Sequence, residues 1–344
     1  MLNAINYQLS TISYQLSTIN YQLLTYQLSK MLNAINYQLS TINYKLNRPE
    51  YFLQPIQIYR RLRRPPQQSL DEFKDIKLPW GTPFRIRPHP DDKVEWSLWI
   101  MGVYDLALSE AIWRFVDLGE TAIDIGANIG YMTGIMAERV GKSGRVIAFE
   151  PCPGIYEELE FNIQTWQNLK GWNPIELKKV ALSNKTGTGL LRLPTYNRGE
   201  AAIVENKESV NADETLNVYE VNLNQLDNIL DRNLKIGVLK IDIEGHEFSA
   251  FQGAEKTLKS QQIRDIFFES HHGYPTPASE FLESCGYRIF RLWKGFWRPL
   301  LYPADYPLIH PWEPPNYLAT LDGDRAQKRL KKRGWSILRT ISYR

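Results

Sequence analysis

The sequence predicts an α/β protein with a Rossmann-like, mostly parallel sheet and helices on both of its faces. Beyond residue 120, apolar runs of strand type alternate with segments of helical periodicity, the pattern of parallel strands joined by crossover helices. The first run, 121–125, enters a glycine-containing turn and then a helical segment at 131–140. The second run ends at Glu150, 20 residues past Gly130, where a carboxylate is placed to accept hydrogen bonds from ribose hydroxyls.

The turn after the first strand predicts a nucleoside site rather than a dinucleotide site. Gly126 and Gly130 permit a tight turn and a close approach of a ligand to the backbone. Asn128, however, replaces the middle glycine of the Gly-x-Gly-x-x-Gly fingerprint, so a nucleoside without a pyrophosphate fits better. S-adenosylmethionine is the common ligand of that kind; the alternative is an ordinary turn whose glycines serve packing. We assign to cofactor binding Asp124, Gly126, Asn128, Gly130 and Glu150.

The remaining elements follow in chain order. Apolar runs predict a third strand at 175–184, a fourth beginning at 236, a fifth at 265–272, a sixth at 287–293 and a last strand at 317–321. Two β-type runs, 186–194 and 215–224, flank a polar stretch and predict a β-hairpin insertion with a loop near the site. The segment 96–116 has helical spacing and leads into the first strand.

Four segments carry a resemblance to a known family. DIGANIGYMT, VIAFEP, VALSNKTG and LKIDIEGHE, in this order, resemble the FkbM family of S-adenosylmethionine-dependent methyltransferases over roughly residues 96–320. The resemblance implies a class I methyltransferase fold with a seven-stranded sheet, its seventh strand antiparallel, and S-adenosylmethionine as cofactor. It implies methylation of hydroxyls, often on sugars or polyketides. It also places adenine near Ala181 and Leu182, and Tyr104 or Glu110 near the cofactor.

The run LKIDIE predicts the catalytic carboxylates. Strand alternation puts Lys240, Asp242 and Glu244 on one side, so the two acids project together at the carboxyl end of the fourth strand. Close carboxylates raise one another's pKa, which suits a base that works near neutral pH. We assign Asp242, Glu244 and His271 to catalysis and Asp242 also to cofactor binding, with no metal.

Other polar and aromatic residues have two interpretations each. Glu269 and His272 follow the fifth strand beside the same cleft, whereas Glu247 and His246 suit the start of a helix equally well. Aromatic rings are suited to stacking on a sugar face, but they also suit packing. The candidates of this kind are Trp293, Trp297, Tyr302 and Trp312.

The bulk properties restrict the class of protein. The 344 residues carry a net charge of +3, too small to argue for nucleic acid as a partner. Cys152 and Cys285 are far apart, which excludes a disulfide framework and fits a reducing cytosol. No apolar run is long enough to span a membrane and no secretion signal is visible, so we expect a cytoplasmic protein. The expected partner is a small-molecule or glycan hydroxyl substrate.

Composition predicts four regions. Residues 1–47 repeat INYQLST-like heptads, with MLNAINYQLSTI at 1–12 returning unchanged at 31–42. Their apolar seam suits a coiled coil that forms a homo-oligomer, but e and g positions lack charge, and a recently expanded tract without function is the other interpretation. A Pro/Arg-rich linker at 48–69, a methyltransferase domain at 70–325 and a basic tail at 326–344 follow.

Rival functions remain at this point. An NAD-linked oxidoreductase is disfavoured by the missing middle glycine. A non-catalytic protein on a methyltransferase scaffold, assembled through the heptads, is the second alternative. A nucleic-acid amino-methyltransferase would need an Asn/Asp-Pro-Pro-aromatic run after the fourth strand, and IDIEG occupies that place.

Overall fold

The computed structural model describes residues 49–53, 72–171, 175–195, 197–204, 216–307 and 314–338, all within the compact unit Pro49–Arg344. The heptad segment 1–47 lies outside the described residues, as does most of the predicted linker. Residues 49–53 of that linker form a short helix whose Glu50 lies 3.6 Å from Lys294, both side chains being buried. This part of the linker therefore belongs to the folded domain, because an ion pair fastens it there.

Helices and strands alternate along most of the folded domain. The helices are α1 (Pro49–Leu53), α2 (Lys93–Met101), α3 (Leu106–Phe115), α4 (Tyr131–Val140), α5 (Pro153–Lys170), α6 (Leu226–Ile229), α7 (Glu247–Gln252), α8 (Glu255–Lys259), α9 (Pro277–Ser284) and α10 (Gly323–Lys331). The strands are β1 (Lys74–Lys77), β2 (Pro83–Ile86), β3 (Thr121–Ile125), β4 (Arg145–Phe149), β5 (Ile175–Lys178), β6 (Ala181–Leu182), β7 (Gly187–Pro194), β8 (Ala202–Val204), β9 (Leu216–Asn224), β10 (Ile236–Ile241), β11 (Ile263–Glu269), β12 (Arg288–Lys294), β13 (Pro299–Pro303) and β14 (Asn316–Thr320). Short 3-10 turns cover Arg198–Glu200 and Ser336–Leu338.

The main sheet has eight strands in the order β13-β12-β14-β11-β10-β3-β4-β5. The five from β11 to β5 are parallel, and β14 runs antiparallel between β11 and β12, as the resemblance implies for the last strand. The predicted count of seven strands is wrong, because β13 adds an antiparallel edge to β12. The strand Pro299–Pro303 has a proline at each end, which makes it hard to recognise from the sequence. Proline has no backbone N–H to donate to the hydrogen bonds of a sheet, so within sheets it is found mainly in edge strands.

The insertion forms a second sheet in the order β6-β9-β7-β8. Antiparallel pairing of β7 with β9, with Leu191 opposite Tyr219, confirms the predicted hairpin. The predicted third strand is divided: β5 stays in the main sheet, whereas β6 pairs with β9, with Leu182 opposite Asn224. Within the predicted loop, the described residues contribute the 3-10 turn and β8, and residues 205–215 lie outside the described part of the chain.

The segment 96–116, predicted to have helical spacing, is divided between two helices, α2 and α3. Gly102, at φ +71°, ends α2, and the carboxylates of Asp92 and Asp105 accept hydrogen bonds from the backbone N–H groups of Glu95 and Leu108 at the starts of α2 and α3. The helix α4 has the predicted bounds. Asp105 is therefore held where the chain turns back toward the main sheet.

The central strands are buried on both faces. Along β3, Ala122 packs into the apolar cluster on one face of the sheet, and Ile123 and Ile125 pack into the cluster on the other. The carboxyl ends of β3, β4, β10 and β11 meet at one edge, where the loops that follow them converge.

The basic C-terminal segment packs on the domain, so the predicted boundary at 325 is too early. In α10, Ala326 and Leu330 are buried, and Trp335 and Ile337 beyond it are buried too. Arg329 donates to both oxygens of Asp117 at 2.5 and 2.6 Å. The basic face that we predicted to be solvated therefore packs in part against the rest of the folded domain. Among the described residues, no helix is long and apolar enough to cross a membrane.

Candidate functional site

The glycine turn between β3 and α4 allows two strand ends to approach each other. Gly126, Asn128 and Gly130 have φ values of +73°, +49° and +100°. A Cβ on Gly126 would lie 2.0 Å from the carbonyl oxygen of Asp242, a distance that no side chain can occupy. Glycine at 126 is thus required by the close approach of the β3 turn to the end of β10.

The side chain of Glu150 supports the glycine turn through hydrogen bonds to the backbone. Its Oε2 accepts a hydrogen bond from the backbone N–H of Asn128 at 2.9 Å, and its Oε1 accepts one from that of Cys152, also at 2.9 Å. Burial of this carboxyl raises its pKa to about 7, although both backbone bonds favour the charged form. The residue predicted to bind ribose therefore also ties two loops together.

An apolar pocket opens beside this carboxylate. We use the name apolar pocket for the cavity lined by Phe149, Glu150, Ile155, Val180, Ala181 and Leu182, together with Gly126, Asn128, Asp242, Ile243 and His246. Its outer wall comes from the insertion, through Arg198, Gly199, Ala201 and Ile203. Apolar side chains around a few polar groups suit an adenosine moiety, so the chain's residues fit the expected cofactor.

The structure places Ala181, Leu182, Glu150, Gly126 and Asn128 around this pocket as predicted from the sequence. Their contact with a cofactor stays a prediction. Gly130 lies behind the turn instead, since a Cβ there would meet Leu159 at 2.5 Å, and it begins α4. His246, interpreted from the sequence as a helix-start residue, is half-buried, lines the pocket and lies 3.0 Å from Ser183 Oγ. Burial and the nearby Lys185 lower the pKa of the His246 ring.

Asp124 is fully buried beneath the turn. Its Oδ2 accepts a hydrogen bond from Thr133 at 2.6 Å, and Lys240 Nζ lies 3.5 Å from its Oδ1. Lys240 also donates to the Gly126 carbonyl at 3.0 Å and lies 3.8 Å from Asp242 Oδ2. Asp124 therefore supports the turn through Lys240, and its predicted direct contact with the cofactor stays a prediction.

A second cavity, the acidic cavity, adjoins the apolar pocket. It has a volume of about 790 Å³ and is lined by carboxylates from five residues, namely Asp105, Glu200, Asp242, Glu244 and Glu269. Among the described residues, Lys93 and Lys240 are the lysines that line it, and Trp96 and Tyr104 supply aromatic rings. Asp242 lines both cavities, as do Gly126, Asn128 and Gly199. Asp242 thus lies at the boundary between them.

The carboxylates of the acidic cavity perturb one another. Burial, with the charge of Asp242 next in size, raises the pKa of Glu244 to about 7. The same two causes, with Glu244 added, raise the pKa of Glu269 to about 9. Asp242 and Glu244 line the same cavity, but both lie beyond the end of β10, and Glu244 adopts a left-handed backbone at φ +52°.

His271 lies at the mouth of this cavity. Its Nε2 is 2.8 Å from Glu269 Oε1, and 63% of its side chain is exposed, so solvent competes for its second nitrogen. Because Glu269 retains its proton at neutral pH, its carboxyl can donate to the ring. Asp242 lines both cavities, whereas His271 lines the acidic cavity alone of the two.

Glu247 has a structural position. Its Oε1 accepts backbone N–H bonds from Ile243 at 3.0 Å and Gly245 at 3.3 Å, which fixes the turn that follows Asp242. Burial raises its pKa. This residue braces the loop that carries Asp242 and Glu244.

Two groups of candidate residues lie elsewhere. Glu110 is buried away from both cavities, where it binds Arg114 at 2.6 Å and the backbone N–H of Ile337 at 2.8 Å. Trp293 and Tyr302 pack on each other with centroids 6.1 Å apart and line neither cavity. Trp312 is outside the described residues. The described members of the predicted aromatic platform therefore line neither cavity, whereas Trp96, Tyr104 and Tyr131 line the acidic cavity.

Three residues that shape the site are only weakly marked in the sequence. Asp105 is signalled only as a helix cap, and Arg198 only as one arginine in a polar stretch. Lys240 is the most visible, because a lysine inside an apolar strand must find buried partners. Within the described residues, no three His, Cys, Asp or Glu side chains have an arrangement that would hold a metal ion.

The glycine turn, the acid after β4 and the IDIEGHE loop lie around one pair of cavities, and the sequence between them matches a known family. Residues 124–289 match the family model described as the methyltransferase FkbM domain. The predicted resemblance is confirmed over this range, and S-adenosylmethionine is the cofactor of the FkbM domain.

Several solved structures are distantly similar to this chain. A methyltransferase FkbM from Methylobacillus flagellatus KT is 17% identical, with 58% of this chain and 43% of that chain covered and a TM-score of 0.38. An S-adenosylmethionine-dependent O-methyltransferase from Thermotoga maritima is 15% identical over 72% of this chain and 77% of that one, at a TM-score of 0.35. Fibrillarin from Aeropyrum pernix, in complex with natively bound S-adenosyl-L-methionine, is 12% identical. The match covers 74% of this chain and 85% of that chain, with a TM-score of 0.34.

The chain thus spans less than half of the M. flagellatus protein. No curated protein sequence matches this one significantly.

Proposed function

We propose that this protein is an S-adenosylmethionine-dependent O-methyltransferase that methylates a hydroxyl group of a sugar or another small metabolite. One observation carries the proposal: Asp242 lines both the apolar pocket and the acidic cavity, beside Gly126. A nucleoside cofactor in the first and an acceptor in the second would meet at this carboxylate. S-adenosylmethionine supplies an electrophilic methyl group on a sulfonium, so the chain's residues must orient the acceptor and receive its proton.

Asp242 is the proposed base. Its side chain is 28% exposed, so it can reach an acceptor, and Lys240 Nζ lies 3.8 Å from its Oδ2. The neighbouring acids Glu244 and Glu269 have raised pKa values and are partly protonated at neutral pH. Because Asp242 lines both cavities, it is the carboxylate of this cluster best placed to accept the hydroxyl proton.

Glu244 and Glu269 have a different proposed task. With pKa values raised to about 7 and about 9, they carry protons at neutral pH for part or most of the time. A protonated carboxyl both donates and accepts, so it can hold the other hydroxyls of a polyol. We place Glu244 and Glu269, with His271 beside Glu269, on the acceptor side of the reaction.

The charge of the acidic cavity restricts the acceptor. Five carboxyl residues face two lysines, one of which, Lys240, is committed to Asp124 and Gly126. A phosphorylated or carboxylated acceptor, or a nucleic-acid backbone, would lack a cationic partner among the described lining residues, because Lys93 pairs with Glu200 and Lys240 with Asp124. The acceptor is therefore uncharged or cationic, and Trp96 and Tyr104 offer faces for a sugar ring.

Asp242→Asn tests the proposal. The variant keeps the size of the side chain and removes its charge, so cofactor binding should persist while the single-turnover rate falls by ~10²-fold or more. Asp324→Asn, an exposed change on α10, is the matched control and should transfer at the parent rate. An Asp242 variant that transfers as fast as the parent would remove Asp242 as the base and make His271 the next residue to test.

The acceptor itself is found by isotope transfer. The protein is incubated with a metabolite extract and S-adenosylmethionine carrying a deuterated methyl group, and mass spectrometry follows the label. Labelled hydroxyl compounds without phosphate are expected. Cofactor binding without any labelled product would favour a non-catalytic protein, and preferential binding of a nicotinamide cofactor would favour an oxidoreductase.

A further inference from the structure

The outer wall of the apolar pocket is fastened by one arginine. Arg198 begins the 3-10 turn between β7 and β8, and its guanidinium donates to both oxygens of Glu158, at 2.7 and 3.1 Å. It also binds Glu95 through Nη2. The arginine joins the insertion to α2, which carries Glu95, and to α5, which carries Glu158.

These ion pairs are shielded from solvent. The side chain of Arg198 is 13% exposed, that of Glu158 is 9% exposed and that of Glu95 is 2% exposed. Burial alone would lower the pKa of the guanidinium, but the two carboxylates raise it above its ordinary value. Arg87 also binds both acids, Glu158 through its side chain and Glu95 through its backbone N–H. A buried, forked pair fixes geometry more strictly than an exposed one.

The turn held by Arg198 is the turn that covers the pocket. Arg198, Gly199, Ala201 and Ile203 all line the apolar pocket. Gly199 packs so closely that a Cβ on it would lie 3.2 Å from Val94 and 3.6 Å from the side-chain amide of Asn128. The wall therefore rests on the glycine turn itself, and its position depends on the arginine that starts it.

We propose that Arg198 is a positioning residue for the cofactor, which clasps the insertion over the apolar pocket through Glu95 and Glu158 and so slows cofactor release. This inference rests on the proposed cofactor site and adds to it a retention device supplied by the insertion. It predicts that the dissociation rate of S-adenosylmethionine is set by the clasp. Association and chemistry, which depend on the turn at 126–130 and on Asp242, change little.

The test measures binding kinetics of S-adenosylmethionine to the full chain by stopped-flow fluorescence. Arg198→Met removes the charge and the fork but keeps an unbranched apolar stem, and Arg198→Lys keeps the charge alone. We expect the dissociation rate to rise about tenfold or more with methionine and by an intermediate factor with lysine. The KM for S-adenosylmethionine should rise in parallel, while the rate at saturating cofactor stays within a factor of about three.

Lys259→Met is the control, because it removes the exposed Lys259–Glu255 pair, which lies outside both cavities. It should leave the dissociation rate unchanged. Thermal melts accompany each variant: a purely structural arginine would lower the melting temperature without changing cofactor release in the folded protein. That result, or parent-like dissociation in both Arg198 variants, would overturn the clasp.

Two further outcomes are separable. If the parent chain itself does not bind S-adenosylmethionine, the proposed function fails and not the clasp alone. If Arg198→Met does not fold, Arg198→Lys and Glu158→Gln decide, since each weakens the fork while keeping a hydrogen-bonding side chain at its position. Unchanged release in both would reject the proposal, and faster release in both would support it.

Discussion

Glu150 supports two loops, and we expect the same side chain to bind the cofactor. Its two oxygens accept the backbone N–H groups of Asn128 and Cys152, yet each carboxylate oxygen retains a second lone pair for a ligand hydroxyl. Its position at the tip of β4, on the rim of the apolar pocket, matches that of a ribose acceptor. A substitution at this residue acts on the loops and on the ligand together.

Glu150→Ala should therefore weaken binding and stability at once. Loss of the ribose acceptor costs ~1–3 kcal/mol, which is about tenfold to a hundredfold in affinity for S-adenosylmethionine by calorimetry. Two backbone donors also lose their acceptor, so the free energy of unfolding should fall by ~1–3 kcal/mol or more. A stability loss with unchanged affinity would show that the ribose assignment is wrong.

Glu269 predicts an unusual pH dependence of stability. Burial and the charges of Asp242 and Glu244 raise its pKa from 4.5 to about 9. Between these values the unfolded chain loses the proton and the folded protein keeps it, so the unfolded state binds fewer protons and stability falls as the pH rises.

Glu269→Gln should make the fall in stability less steep. Urea denaturation between about pH 5 and pH 9 should show the parent losing up to about 1.4 kcal/mol more than the variant per pH unit. Exposed Glu280→Gln should leave the slope unchanged. Parallel curves for the parent and the Glu269 variant would mean that Glu269 ionises normally.

At the scale of elements, α10 and the residues after it stabilise the end of the sheet opposite the site. Because β14 is antiparallel, it leaves the sheet at Thr320, opposite Asp265 near the start of β11. Arg325 then pairs with Asp265 at 2.8 Å and with Asp117 at 2.9 Å. Trp335 donates its indole N–H to the carbonyl of Phe296 at 3.0 Å.

Trp335→Ala should cost ~3–5 kcal/mol of stability through the cavity that it creates. Trp297→Ala is the matched control, since Trp297 is 60% exposed and its truncation should cost under about 1 kcal/mol. Chemical denaturation measures both. The folded Trp335 variant should bind S-adenosylmethionine like the parent, because the cofactor site lies at the other edge of the sheet.

The whole chain divides into the heptad segment and the folded domain, and two truncations separate their contributions. A chain starting at Arg48 keeps Glu50, whose carboxylate lies 3.6 Å from buried Lys294, and every residue of both cavities. It should retain cofactor affinity and turnover. A chain starting at Glu72 loses that ion pair and should be less stable, because the contacts of the buried Glu50 side chain are lost.

Size-exclusion chromatography of the Arg48 truncation also tests the heptads. If a defined oligomer becomes a monomer, the coiled-coil interpretation gains support. Loss of activity in this truncation would contradict the interpretation of the repeat as a tract without function.

Much of the domain was predictable because strands buried on both faces leave strong local signals. The bounds of β3, β4 and α4 follow from apolar runs and from a glycine that only a tight turn requires. The edge strand β13 and the division of residues 175–184 between two sheets were not predictable, since pairing partners far along the chain decide them.

The sequence by itself predicted the resemblance to the FkbM family, the cofactor, the order of the parallel strands along the chain and the candidate carboxylates Asp242 and Glu244, because these depend on short contiguous patterns. Only the tertiary structure decided which charges meet. It placed Asp105 and Glu269 in the lining of the same cavity. It paired Arg198, in the wall of the apolar pocket, with Glu95. It also placed Glu110 and the C-terminal arginines in structural ion pairs. Burial and distance set those roles, and both arise from contacts between residues far apart in the chain.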